Sequence, residues 1–212
     1  MAAPRRTLVA LSRQVGAGGA YVGQALSRQL GIRYVDREIL QEAALILGRD
    51  DRELESLEER VTSLWDRMAA VLSWGAPEAA YVPPPLPTLY EEDLFAVESG
   101  IIREIAARED AVFVGRAATW VLREFPGVIS VFLHASEDAR VDRVMRDYEL
   151  TDTAAAFELL RRSDQQRSRF IQSVTGGSWF SLAHYHLAID TGAVSLDETV
   201  ELISRLVRMR QP

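Results

Sequence analysis

TLVALSRQVGAGGAYVG, residues 7–23, decides the fold. Thr7–Ser12 is a short β-branched and apolar run suited to a buried strand. Glycines at 16, 18 and 19 break it into a turn, and an apolar-periodic helix follows to Leu30. Strand, glycine turn and helix together form an anion cradle. Glycines let backbone N–H groups close on a phosphate, and the positive end of the helix dipole faces the same point. The full phosphate-loop pattern, G-x-x-x-x-G-K-[ST], is not met. With Gly18 as its second glycine, Arg13 stands at the first, Gly19 at the lysine and Ala20 at the hydroxyl residue. Gly16, Ala17, Gly18, Gly19 and Ala20 thus supply the loop's backbone without its charged and polar side chains.

The rest of the composition narrows what such a loop can do. A chain of 212 residues suits one domain with room for an insertion or lid. Cysteine is absent, which excludes disulfides and thiolate metal sites. A net charge of −7 argues against a general nucleic-acid binder. The apolar run behind Met1–Arg6 is too short for a signal peptide or a membrane span, so a cytoplasmic protein without a membrane partner is expected. All 24 basic residues are arginine. Any cationic contact to phosphate must therefore come from a guanidinium, which binds in a bidentate fork but is bulkier than an ammonium.

Strand and helix signals alternate around the loop. Ile32–Asp36 is a short strand ending in an acid, and Arg37–Leu47 is helical. Asp50–Trp74 carries Leu54, Leu57, Val61, Leu64, Met68 and Val71 at three-four spacing, an amphipathic helix. Its stripe can pack on the domain or on a second copy of the chain, as a homodimer. Prolines at 83, 84, 85 and 87 rule out a helix in Gly75–Tyr90 and favour a stiff, extended connection. Glu91–Arg108 is helical, Ala111–Gly115 a strand, and a helix runs from Arg116 to Glu124. Val128–His134 is a strand, and Ser136 caps a helix to Asp147. A long helix spans Ala154–Ser173, followed by a strand at Tyr185–Asp190 and a helix at Leu196–Met209. Five short strands separated by helices give an α/β fold with a parallel sheet and right-handed crossovers. Ligands bind such sheets at the carboxyl ends of the strands, where Arg13, Asp36, Arg116 and Asp190 fall.

Outside the loop, Arg161, Asp164 and Arg167 recur every third residue and so share one face of a helix. Alone, such a stripe is a solvated, salt-bridged surface. Beside an anion cradle it becomes a source of cations for phosphoryl transfer, where catalysis is mainly positioning and charge neutralisation. His184 and His186 could share one face of a strand, but no third ligand lies nearby and no metal site is assigned. No serine–histidine–acid arrangement is evident. Trp65, Trp74, Trp120 and Trp179 read as core or contact residues, Trp179 least clearly because it sits in a glycine loop.

Taken together, these stretches resemble the cytidylate kinase-like family, a branch related to bacterial cytidylate kinases within the nucleoside monophosphate kinases. The resemblance covers nearly the whole chain. It rests on LSRQVGAGGAYVG at 11–23, LGIRYVDREIL at 30–40, VFVGRAA at 112–118 and VFLHASEDARVDRV at 131–144. It continues through SDQQRSRF at 163–170, SVTGGSWF at 173–180 and YHLAIDTGAVSLDE at 185–198. It implies a three-layer P-loop NTPase-type fold with a five-stranded parallel sheet, a helical monophosphate-binding insertion at 37–105 and a short lid at 146–165. It also implies ATP and Mg2+ as donor and metal, and CMP or dCMP as acceptor. By the same resemblance Asp36, Arg37, Arg116 and Asp164 fall on the acceptor side. Arg13, Arg161 and Arg167 are the arginines available to the transferring phosphates. The acid that follows Gly-Arg in cytidylate kinases is Ala117 here, the loop lysine is Gly19, and Ala20 stands where the branch often has arginine. Two functions follow as expectations: a nucleoside monophosphate kinase-like phosphotransferase, or a non-catalytic nucleotide-binding module that senses or regulates. A kinase for another small acceptor is a third.

Overall fold

The computed structural model describes residues 6–36 and 88–210. Arg37, the expected helices at 37–47 and 50–74, and all but the last three residues of the proline-rich stretch lie outside the described residues. Strand β1 (Leu8–Arg13) is central in a parallel sheet with β2 (Arg33–Val35), β3 (Ala111–Val114), β4 (Ile129–His134) and β5 (Leu187–Asp190). The order is β2-β3-β1-β4-β5. Strand β1 lies alongside both β3 and β4, with Leu11 opposite Val114 and Arg13 opposite Leu133. Being buried on both faces, β1 reads as a continuous apolar run rather than an alternation.

The two faces are covered by different helices. Leu8 and Ala10 join Phe113 and Val35 in a cluster with Ile101, Ile102 and Ile105 of α2 (Thr88–Arg108) and with Ala118 and Val121 of the short α3 (Ala118–Val121). Val9 and Leu11 face the other way, onto Val22 and Leu26 of α1 (Gly19–Leu30) and Val200, Ile203 and Val207 of α6 (Leu196–Arg210). A third, smaller cluster joins α4 (Glu137–Asp147) to α5 (Thr153–Thr175) through Val141, Val144, Ala156 and Leu160. Gly23 sits in the interior of α1, where glycine costs about 1 kcal/mol against alanine. A Cβ there would lie 2.6 Å from Val114 Cγ2 and 2.9 Å from Tyr34 Cε2, so close approach of helix to sheet outweighs that cost.

Most expected boundaries hold within two residues, with physical reasons where they do not. Helix α2 begins at Thr88, directly after Pro87, so the last three residues of the proline-rich stretch are helical. Helix α3 starts only at Ala118 because Arg116 and Ala117, with φ of 48° and 53°, put a left-handed kink between it and β3, and it gives way to turns after Val121. Ser136 caps α4 as expected, its Oγ accepting from Ala139 N at 3.3 Å. At the start of α6, Ser195 and Glu198 form a capping box, Ser195 Oγ accepting from Glu198 N and Glu198 Oε2 from Ser195 N. The Ser195 hydroxyl, which donates to Glu198 Oε2 at 2.6 Å, and then the Ser195 backbone N–H hold the Glu198 carboxyl below its usual range. Strand β5 starts at Leu187 because Leu182–His184 form a 3-10 turn.

Candidate active site at the glycine loop

The turn between β1 and α1 is built to turn its carbonyls inward. The carbonyl of Arg13 accepts from Arg167 Nη1 at 2.9 Å, and that of Gln14 from Ala17 N at 3.2 Å. Val15 O accepts from Arg140 Nη1 at 3.4 Å, Gly16 O from Arg143 Nη1 at 3.1 Å and Ala17 O from Thr191 Oγ1 at 3.1 Å. The five successive carbonyls from Arg13 to Ala17 are thus all hydrogen-bonded within the fold. Gly16 and Gly18 make the turn possible, with φ of +74° and +75°. A Cβ on Gly16 would lie 2.7 Å from Arg140 O, so only glycine fits there. Gly18 is the N-cap of α1, with no side-chain cap bond and no acid in the first turn. The first amides of a helix have no intrahelical acceptor, so Gly19, Ala20 and Tyr21 present theirs to whatever enters the loop.

The bracing residues come from sequence positions far from the loop. Arg140, buried on α4, pairs with Asp164 Oδ2 of α5 at 2.8 Å, and Gln14 Nε2 donates to the same oxygen at 3.1 Å. Arg143 also donates to Thr191 Oγ1 at 3.0 Å and to the Thr191 carbonyl. Burial, then the neighbouring Arg146, draws the Arg143 guanidinium below its ordinary pKa, although arginine stays charged in proteins.

Across the carboxyl rim the strand order sets the sequence of side chains: Asp36 after β2, Arg116 after β3, Arg13 at the end of β1, then Asp190 closing β5. Arg13 and Arg116 therefore stand on neighbouring strands. Arg116 Nε donates to Glu98 Oε2 of α2 at 2.6 Å, and its guanidinium lies 4.6 Å from the Phe170 ring centroid. Glu98 is fully buried. Its signal was in the sequence: it falls on the apolar stripe of Phe95, Ile101, Ile102 and Ile105, where an unpartnered carboxylate would be costly. Asp190 Oδ1 accepts from Gly192 N at 2.9 Å, a local turn bond.

The arginine-rich helix divides. Asp164 and Arg167 face the loop, whereas Arg161 is largely exposed and sits 3.7 Å from Glu137 at the surface. Spacing by three drifts around a helix, which is why the third member of the stripe turns outward. Arg167 holds the loop's backbone at Arg13 O, and Asp164 holds the side chains of Gln14 and Arg140. Trp179 is core: it is 2% exposed, and its Nε1 donates to Ser12 Oγ at 2.8 Å. The two histidines do not share a strand face. His184 lies in the 3-10 turn, edge-on to Trp120, and His186 precedes β5, its Nδ1 accepting from Ser130 N at 3.0 Å. Among the described residues no cluster of three or more His, Asp or Glu is placed to hold a metal ion, and no helix is long and apolar enough to cross a membrane.

A parallel sheet in this strand order, with a glycine turn leading from its central strand into a helix, defines an α/β fold of the P-loop kinase type. The chain belongs to the cytidylate kinase-like family, whose model matches residues 8–193. It resembles the structure of an uncharacterized protein from Eubacterium ventriosum at 20% identity and a TM-score of 0.71, covering 96% of this chain and 99% of that one. A gluconokinase from Sinorhizobium meliloti matches at 16% identity and a TM-score of 0.51, over 97% of this chain and 96% of that one. A shikimate kinase from Bacteroides thetaiotaomicron matches at 12% identity and a TM-score of 0.50, over 95% and 98%. At these identities the likeness is one of fold. No curated protein matches the chain.

Proposed function

We propose that this protein is a phosphotransferase that moves the γ-phosphoryl group of ATP to a nucleoside monophosphate, CMP or dCMP. The observation that carries this reading is the loop's backbone: carbonyls from Arg13 to Ala17 all hydrogen-bonded within the fold, and an N-cap at Gly18 with no side-chain cap bond ahead of the helix-start amides. That arrangement suits the phosphates of a nucleotide, held by Gly16–Gly19 and the start of α1. Asp36 and Arg116, on strands to one side of the loop, form the acceptor side, and Arg37 follows directly in the chain. Glu98 and Phe170 orient the Arg116 side chain there. Magnesium fits the loop poorly, because Ala20 offers no hydroxyl. A magnesium ion would arrive with the nucleotide on phosphate oxygens and water, neutralising phosphate charge.

The second reading, a nucleotide-binding module without transfer activity, is favoured by one feature: neither a lysine nor a hydroxyl follows Gly18. Losing one electrostatic contact of this kind commonly costs about 10²-fold or more in rate. A coupled assay with ATP, Mg2+ and a panel of nucleoside monophosphates separates the two. Turnover of CMP or dCMP that Arg116→Ala abolishes supports transfer. No turnover of any acceptor, alongside ATP binding by calorimetry, assigns the protein to the second class.

A further inference from the structure

Two residues depart from the phosphate-loop pattern, Arg13 at its first glycine and Gly19 at its lysine. The structure makes them one exchange. Arg13 ends β1, and its aliphatic stem lies across the first residue of α1. A Cβ on Gly19 would overlap Arg13 Cγ and lie 3.1 Å from both its Cβ and its Cδ. These atoms are near the root of the side chain, so they clear the space only if χ1 rotates and the whole guanidinium swings away. The far end is accommodated in the same manner. A Cβ on Gly115, at the end of β3, would overlap Arg13 Nη1 and lie 3.0 Å from Cζ. Gly115 also has a φ of +84°. Arg13 thus runs in a slot whose two walls are glycines, from the helix start to the neighbouring strand's carboxyl end. Its head lies against Gly115, the residue that precedes Arg116 in the chain. Arg167 Nη1, bonded to the Arg13 carbonyl, fixes the backbone from which the side chain departs.

We propose that Arg13 is the phosphate-contacting cation of this loop, moved from the first turn of the helix to the last residue of the strand. A side chain at residue 19 and the present path of Arg13 exclude each other, so Gly19 is the condition for an arginine cation rather than the scar of a lost lysine. The proposal rests on the nucleotide-binding reading given above. A guanidinium in this slot contacts a ligand phosphate through charged hydrogen bonds, and it loses nothing by the absence of lysine from the chain.

Calorimetric titration with ATP and with AMP, on the wild type and four variants whose folding is checked by thermal melting, tests it. Arg13→Gln weakens ATP by about 10- to 100-fold, the range of a charged hydrogen bond, and leaves AMP nearly unchanged. Gly19→Ala, which keeps the arginine but displaces its stem, does the same. The single variant Arg13→Gly loses ATP affinity, and the double variant R13G/G19K regains most of what it lost. Wild-type ATP affinity in Arg13→Gln, or a double variant no tighter than Arg13→Gly, overturns the exchange while leaving the nucleotide reading intact. A wild type that binds no ATP overturns both.

Discussion

Loss of the Arg140 guanidinium is expected to destabilise the fold more than loss of any other single contact described above. Its side chain is 5% exposed and its Nη1 lies 2.8 Å from Asp164 Oδ2, itself on a side chain 18% exposed. The same nitrogen holds Val15 O, so the residue joins α4, α5 and the loop. Arg140→Met keeps the aliphatic length and removes the charge. The Asp164 carboxylate would keep only the Gln14 amide on Oδ2, while Oδ1 is already buried without a hydrogen-bond partner among the described residues. Removing one partner of a buried pair costs about 3–5 kcal/mol, because the remaining charge stays desolvated. For a chain of this size each kcal/mol lowers the melting temperature by about 2–4 °C, so the expected drop is about 6–20 °C. The double variant R140M/D164L removes both charges and should lie within about 1–2 kcal/mol of the wild type, since a buried pair contributes little net stability. Urea unfolding followed by circular dichroism and tryptophan fluorescence gives the three numbers. An Arg140→Met variant within about 1 kcal/mol of wild type, or a double variant no better than the single, refutes the stranded Asp164 charge as the cause of the loss.

Three further outcomes follow from single contacts. Gly16→Ala forces a Cβ to within 2.7 Å of Arg140 O at a φ of +74°, whereas Gly31→Ala, at +65°, meets nothing within 4 Å. Both pay about 1–2 kcal/mol of left-handed strain, but calorimetry should show ATP affinity lost only in the first; equal losses would count against the loop as the phosphate site. Trp179→Phe removes the indole bond to Ser12 Oγ at 2.8 Å and should cost about 1–3 kcal/mol in urea unfolding, an unchanged midpoint being the contrary result. Burial, then Arg210, lowers the His186 pKa from 6.5. Its neutral ring accepts at Nδ1, so the stability it contributes is complete above pH 6.5 and is lost as pH falls from there toward the folded value. His186→Gln should flatten the stability profile just below pH 6.5, and an unchanged slope would reject the assignment.

The strands and their order of appearance were legible because each is a short apolar run bounded by glycine, proline or a charge. Ser136 as a cap and Arg13, Asp36, Arg116 and Asp190 as rim residues were legible for the same local reasons. What sequence could not supply is who touches whom across the fold. Arg140 and Arg143 look like surface charges on an exposed helix, yet they anchor the loop because α4 packs behind it. Thr191 follows a strand with no local peculiarity and closes the same brace. The slot of Arg13 depends on Gly115, which the sheet brings alongside only through the parallel pairing of β1 with β3. The stripe of Arg161, Asp164 and Arg167 was real as spacing, but the turn of the helix assigns its members to different sides.

The most direct test of the central claim is phosphorus NMR of the protein incubated with ATP, Mg2+ and CMP. Transfer predicts that the γ-phosphate resonance of ATP declines while the signals of ADP and CDP rise together, and that Arg13→Gln slows both. ATP that persists unchanged with CMP, dCMP and the other nucleoside monophosphates, in a protein that binds it, would contradict phosphoryl transfer and leave a nucleotide-binding module.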